Sequence, residues 1–562
     1  MRREVSVVNK KVCSFPILFA LLALLIGTCA VVFPASAQAA PTSTGSITVS
    51  GTVASSYDAY QIFSANVVDG DSDAKIATDL AWASDAARDA VLPVLHSAGM
   101  PNSQTTAQEA AEWLNTDSHL TSALSAQLAR SLQSSDAVSV ALNAGTAAEL
   151  PCGYWLIVAD NDAIAQGEAG TAPIMALVGG SAVTVKPKAA TPKVQKHVLE
   201  DGTAAWQKAA DATVADDLYW RLSATVPAGL TAYDTYAVRF VDTMSAGLDP
   251  SKVAASVRVY VAAGADGGFD AVQTGKDGRA GTEPAKGWTD ITAQCATKVA
   301  ADGTFTVRTG DLIAALGGAD AFTAGARVVA VYNAPLNSAC NHGIAKGNPN
   351  EVYLRYPRSP FADQSGDAGF TRTPSDDACA YTWDLALTKR GSDGDKPLAG
   401  AILSIADDRG RTLAADGTWD AEGKATVTTG EDGRVTVSGV DSGKLEVREL
   451  KAPKGYTAFE GTRSVTVKAE GLDVDQVAAA KPKLTITAES PLRADSADGS
   501  TGSLEASLIN TPTGTPPSIT TGGFMPSTGD MAMYAAAAAA VAGAALIVVA
   551  LLVKRGGGSH KE

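Results

Sequence analysis

Histidine is scarce in this chain of 562 residues, with five copies, and methionine (7) and cysteine (6) are nearly as rare. There is no His-Glu-x-x-His pair, no Gly-x-Ser-x-Gly turn and no phosphate-binding glycine loop, so the usual sequence signs of an enzyme are missing. Basic residues are in the minority, 45 Lys+Arg against 60 Asp+Glu, and an acidic surface argues against nucleic acid as a partner. Aromatics make up 6% of the chain and fall at strand positions, where they read as core. No cofactor or metal is implied. Asp69-Gly70-Asp71-Ser72-Asp73 opens like a calcium loop, but Ala74 and Leu80 stand where that loop needs glycine and glutamate, which leaves a solvated turn.

Long apolar runs occur only at the two ends. Arg2, Arg3, Lys10 and Lys11 precede an apolar stretch from Phe15 to Phe33, and Ala35-Ser36-Ala37 and Ala37-Gln38-Ala39 are small-x-small cleavage sites, the pattern of a removed signal peptide. At the other end an uncharged run from Met531 to Val553 is followed by Lys554-Arg555. That run is long enough to cross a bilayer of roughly 30 Å, and the basic pair holds its far end in the cytoplasm. Just before it, Met525-Pro526-Ser527-Thr528-Gly529 resembles the Leu-Pro-x-Thr-Gly sorting signal of Gram-positive surface proteins, with Met525 in place of Leu. The resemblance implies cleavage by a sortase between Thr528 and Gly529. Four cysteines, Cys152, Cys295, Cys340 and Cys379, survive processing into a compartment that permits disulfides. Three connectivities are possible, and a pair among Cys295, Cys340 and Cys379 is favoured because they lie closer together.

Between these ends the chain is expected to be mainly β: tandem immunoglobulin-like β-sandwich domains after a mixed α+β N-terminal domain. The expected division is a signal peptide over 1–39, an N-terminal domain over 40–188, sandwiches over 189–376 and 377–512, a stalk with the sorting motif over 513–528 and the tail over 529–562. Strands are expected at 46–49, 59–63, 154–158 and 174–178, with helical composition from about 74 to 135. From 193 to 374, and again from 381 to 510, short alternating runs are separated by Gly, Asp and Pro at sandwich-like spacing.

Three strands of the last sandwich break the alternation by pointing a polar group inward. Residues i, i+2 and i+4 of a strand share a face, so Leu385 and Leu387 continue to Lys389, Leu445 and Val447 to Glu449, and Leu504, Ala506 and Leu508 to Asn510. Taken singly, each is more often a snorkelling or surface side chain. Together they bring an amine, a carboxyl and an amide to one core, where burial disfavours both charges. A neutral Lys389 amine can attack the Asn510 amide, releasing ammonia and leaving an isopeptide bond, with Glu449 as acid and base. Glu449-Leu450-Lys451-Ala452-Pro453-Lys454-Gly455-Tyr456 resembles the E-box of pilin collagen-adhesin B-type domains, in which Leu450 replaces a Thr. The segments around Lys389 and Leu508-Ile509-Asn510 resemble that family's first and last strands.

The middle sandwich repeats the pattern in part. Lys196 shares a face with Val194 and Val198, and Asp242 with Val238 and Phe240. Both resemble the lysine and catalytic acid of isopeptide-forming fimbrial domains, whose closing strand carries Tyr-Ser-Asn-Asn-Pro. Here Tyr356-Pro357-Arg358-Ser359-Pro360 stands in that place, so counting on from Val352, Leu354 and Tyr356 puts Arg358 at the acceptor position. The expectation is an ion pair of Asp242 with Arg358 or Lys196 in place of a covalent bond, with Asn350 or Asn348 as displaced acceptors.

Val183-Thr184-Val185-Lys186-Pro187-Lys188 resembles the pilin motif of shaft pilins, Val-x-Val-Tyr-Pro-Lys, whose final lysine attacks the sortase acyl-enzyme. The resemblance implies Lys188 as the nucleophile between subunits, with Lys186 and Lys193 as alternatives. The chain is thereby identified as resembling a Gram-positive sortase-assembled major pilin, a structural subunit and not an enzyme. Implied partners are a sortase, other copies of itself, minor pilins, peptidoglycan and a host surface ligand. A single-copy wall-anchored adhesin or minor pilin is the alternative.

Overall fold

The computed structural model describes residues 43–514, apart from 72–73, 117–118, 171, 188–190, 228–229, 265–267, 276–278 and 324. The signal peptide, Lys188, the sorting motif Met525 to Gly529 and the apolar tail therefore lie outside the described residues. Among the described residues no helix is long and apolar enough to cross a membrane.

The first part of the chain packs three helices and a small sheet on opposite faces of a larger sheet. Strand β1 (Thr44–Val49) belongs to the small sheet, and β2 (Ser56–Asp69) and β3 (Gly153–Ala159) pair in the larger one. Because β2 and β3 are covered on both sides, they are nearly continuous apolar runs. Tyr57, Ala59, Trp155 and Ile157 face the small sheet, while Tyr60, Ile62, Leu156 and Val158 face the helices. The helices span Asp85–Ser97, Ala107–Asn115 and Ser122–Gln133, each started by a hydroxyl cap, and Thr106 with Glu109 forms a capping box. The expected helical stretch begins too early. Lys75–Trp82 is a strand, paired antiparallel with β2, so pairing overrides its local composition.

The chain leaves this part through β4 (Val183–Val185), which lies parallel to β1 at the edge of the small sheet. Two sandwiches follow. The first places β5 (Val194–Glu200), β6 (Tyr219–Thr225) and β8 (Arg327–Asn333) in a six-stranded sheet. A facing seven-stranded sheet holds β7 (Arg239–Met244), β9 (Asn348–Pro357) and β10 (Asp376–Tyr381). Strand β10 crosses the expected junction at 376 and serves two cores, with Ala378 and Ala380 in the middle sandwich and Cys379 and Tyr381 in the last. The last sandwich sets a five-stranded sheet containing β11 (Trp383–Gly391) and β13 (Ser503–Pro512) against a seven-stranded one containing β12 (Gly443–Lys451). Its first and last strands, β11 and β13, are parallel neighbours.

No disulfide forms among the described residues. Cys152 belongs to the N-terminal core, Cys379 packs in the last core, Cys340 edges the middle core, and all four thiols are free, which overturns the expected pair among Cys295, Cys340 and Cys379. Closeness in sequence was the wrong guide: Cys379 packs in a different core, and Cys295 and Cys340, though both against the middle core, remain unpaired.

Candidate functional site: two buried lysine, carboxyl and amide clusters

In the last sandwich the counted strand faces meet. Lys389, Glu449 and Asn510 are all buried, and Lys389 has no exposed surface. The parallel register pairs Lys389 with Leu508 and Gly391 with Asn510, so the lysine and the amide stand two positions apart on one sheet, while Glu449 reaches across from the other. Lys389 Nζ donates to Asn510 Oδ1 and lies 3.0 Å from Glu449 Oε1. The same Oε1 accepts from Asn510 Nδ2 at 2.9 Å, and Oε2 accepts from the Phe459 amide at 3.1 Å. One carboxyl oxygen thus touches both the lysine nitrogen and the amide nitrogen. Burial pulls the Lys389 amine down to about 8, against the opposing pull of Glu449, so a far larger share of it is neutral at ordinary pH than for an exposed lysine.

The segment after Glu449 closes the site. Gly455 takes a positive φ of 85°, which turns the chain so that Tyr456 pairs with Pro512 at the end of β13. Tyr456 then donates to Asp393 Oδ1 at 2.8 Å, over Gly391, where an added Cβ would stand 2.8 Å from the Tyr456 hydroxyl. Leu450, the departure from the resembled motif, points outward at 49% exposure and takes no part.

In the middle sandwich Lys196 and Asp242 also meet, fully buried and ion-paired. Burial lowers the lysine to about 8 and raises the carboxyl to about 6, each shift opposed by the other group. The expected role of Arg358 is overturned. Strand β9 ends at Pro357, so the two-residue alternation stops there; Arg358 instead donates to the Asn161 carbonyl of the N-terminal part at 3.2 Å. Counting back along the same face, from Tyr356 through Leu354 and Val352, gives Asn350, which is wholly buried. Asn350 stands on the strand next to Asp242, in a register that pairs Asp242 with Val352 and Met244 with Asn350. Asn348 is fully engaged elsewhere, bonded to Asn341 and to the Ala380 carbonyl.

Tyr332 on β8 connects these groups, and the sequence reading missed it. Its hydroxyl accepts from Lys196 Nζ at 3.0 Å and Asn350 Nδ2 at 2.8 Å, and donates to Asp242 Oδ2 at 3.1 Å. The rings of Trp220 and Tyr332 each lie 5.5 Å from Lys196 Nζ and complete a dry wall. Here the lysine and the amide come from facing sheets, whereas in the last sandwich they share one.

At the N-terminal part, β4 delivers Lys186 to the surface, exposed; Lys193 is exposed as well. No group of acidic, histidine or cysteine side chains able to hold a metal occurs among the described residues.

Comparison with known proteins adds three findings. A stretch of 143 residues is 31% identical to the trypsin-resistant surface T6 protein of Streptococcus pyogenes serotype M6, and it covers 24% of this chain and 24% of that relative. The chain thus spans about a quarter of the length of that curated relative. Among solved structures, the T6 backbone pilin of serotype M6 Streptococcus pyogenes is similar at a TM-score of 0.46 and 17% identity, over 84% of this chain and 98% of that one. The full-length major pilin SpaD from Corynebacterium diphtheriae gives 0.41 and 15%, over 85% and 100%. Residues 384–481, which carry Lys389 and Glu449, match the family model of the SpaA prealbumin-like fold domain.

Proposed function

We propose that this chain is the shaft subunit of a covalently polymerised surface pilus, a structural protein whose two sandwiches each close an internal isopeptide bond. The observation that carries this reading is the Lys389, Glu449 and Asn510 cluster, in which one carboxyl oxygen touches both nitrogens that exchange. Lys389 joins Asn510 and releases ammonia, with Glu449 moving the protons. Lys196 joins Asn350 by the same chemistry with Asp242, so the ion pair is the state before reaction, not a substitute for the bond. A shaft under tension needs such links. In the last domain the bond ties together the first and last strands, so a pull on the two chain ends is borne by a covalent bond before the sandwich between them is loaded.

Subunits are joined from Thr528 of one to Lys188 of the next by a sortase that recognises Met525 to Gly529. One copy per fibre passes to peptidoglycan, and minor pilins and a host ligand complete the assembly at the cell surface. The short parallel strand β4 supports this part of the reading, since it leads the motif to the sheet edge with Lys186 already exposed. The test is Lys188→Ala in the native host. Loss of the high-mass ladder from wall extracts supports a shaft; an unchanged ladder refutes Lys188 as the joint, and a single band in both wild type and variant refutes polymerisation.

A further inference from the structure

The two clusters differ in reach. Glu449 Oε1 contacts both Lys389 Nζ and Asn510 Nδ2. Asp242, one methylene shorter, contacts Lys196 but makes no hydrogen bond to Asn350. The Tyr332 hydroxyl fills that gap, lying within 3.1 Å of Lys196 Nζ, Asp242 Oδ2 and Asn350 Nδ2. In the last sandwich the aromatic ring near the lysine is Phe459, which has no hydroxyl to offer. Asp242 Oδ1 and Asn350 Oδ1 are buried without hydrogen-bond partners, so the middle site holds two acceptors and lacks a donor for them. Such orphans are costly in a core and are rarely left without a purpose.

We propose that Tyr332 is a catalytic residue of bond formation in the middle sandwich, carrying the proton from Lys196 to the departing nitrogen of Asn350. The inference rests on the reading that Lys196 and Asn350 become linked. The Lys196 ammonium first gives a proton to Asp242, leaving an amine beside a carboxylic acid, and the acid supplies the missing donor for the amide oxygen. The amine nitrogen attacks Asn350 Cγ, forming the new C–N bond. An amide nitrogen is a poor acceptor while its lone pair is shared with the carbonyl, but in the tetrahedral intermediate that pair is freed. The Tyr332 hydroxyl then swings from Asp242 to Nδ2 and gives up its proton as it takes one from Nζ. The Cγ–Nδ2 bond breaks, and ammonia leaves. Counted from the ion pair, Nζ has lost two protons, one kept by Asp242, which ends as the neutral acid, and one passed through Tyr332 to Nδ2, which leaves as NH3; Tyr332 ends unchanged. The exchange is concerted, because burial raises the tyrosine far above its ordinary value and excludes a free phenolate.

Tyr332→Phe keeps the ring and its edge contact with Phe305, 4.6 Å between centroids, and removes only the hydroxyl. The full chain is made in a timed cell-free synthesis, and the Lys196–Asn350 peptide is followed by mass spectrometry, with the Lys389–Asn510 peptide as internal control. Losing a proton relay slows linkage of the middle domain by about 10²–10³-fold and leaves the control unchanged. In wild type the rate follows a bell between the Asp242 and Lys196 ionisations, near 6 and 8. Tyr332→Phe keeps both ionising groups and therefore the same bell, at a rate lowered throughout. Phe305→Leu disturbs the packing of the ring but leaves the hydroxyl, and its rate stays within a few-fold of wild type. The proposal is overturned if Tyr332→Phe links at the wild-type rate, or if Phe305→Leu is slowed equally. Absence of the Lys196–Asn350 peptide in wild type overturns the linkage reading itself, a result distinct from either.

Discussion

Replacing Glu449 by glutamine keeps the shape of the side chain and removes its ability to carry a proton, so Lys389 and Asn510 remain separate. The link between them spans 121 positions of sequence. If it restricts the denatured chain as a disulfide does, a loop of that length is worth about 5 kcal/mol. For a domain of this size the melting point falls by about 15–20 °C. Glu449→Gln also deprives the buried Lys389 of its carboxylate, which adds a loss unrelated to the bond. Asn510→Ala separates the two effects, because it prevents the bond and leaves the Lys389–Glu449 pair in place. Calorimetry on the full chain follows the transition of the last domain, and mass spectrometry counts retained ammonia in the same samples. The expected result is a comparable drop in both variants, somewhat larger in Glu449→Gln. A variant that keeps the unlinked mass yet melts with wild type refutes the link as the source of stability; one that still forms the link refutes the role of Glu449.

Asn350→Ala blocks linkage in the middle domain and Arg358→Ala does not, as read by the cross-linked peptide; the reverse result would restore the acceptor position counted forward from Tyr356. At the junction of the two sandwiches Glu200, Asp201, Asp211 and Asp441 gather, near Arg409, which lies 3.6 Å from Asp201, and the Asp216–Arg411 pair. Burial and mutual repulsion push Glu200 up to about 8 and raise Asp201 and Asp441. The folded junction therefore holds protons that the unfolded chain releases near 4, so stability is fullest below that value and declines as pH rises towards about 8. Limited proteolysis between pH 5 and 9 should cut the segments around 201–216 and 440–444 faster at the alkaline end, and a faster cut at the acid end contradicts this sign.

The strand period made five of the central residues legible. A lysine, a glutamate or an aspartate at an inward position of an apolar strand is an anomaly, and Lys389, Glu449, Asn510, Lys196 and Asp242 all occupy the faces that counting gave them. Asn350 was harder, since a period of two runs both ways along β9 and only the fold shows that the chain stops alternating at Pro357. Tyr332 could not be seen at all. An aromatic following Val328 and Ala330 on an inward face looks like core, and only its hydroxyl, aimed at three polar neighbours, distinguishes it. The junction carboxylates were equally hidden, because Asp211, on a short strand, and Asp441, in the connection after Val440, are far apart in sequence. Asp211 there accepts from Trp383 Nε1 at 2.6 Å and from the Ser442 amide at 3.0 Å, tying the two sandwiches together.

The central claim is that both sandwiches are closed covalently, and the intact mass of the mature chain under denaturing conditions tests it most directly. The mass falls short of the sequence by two ammonia molecules, one for Lys196 with Asn350 and one for Lys389 with Asn510. A mass equal to that of the unmodified sequence contradicts the claim for both domains.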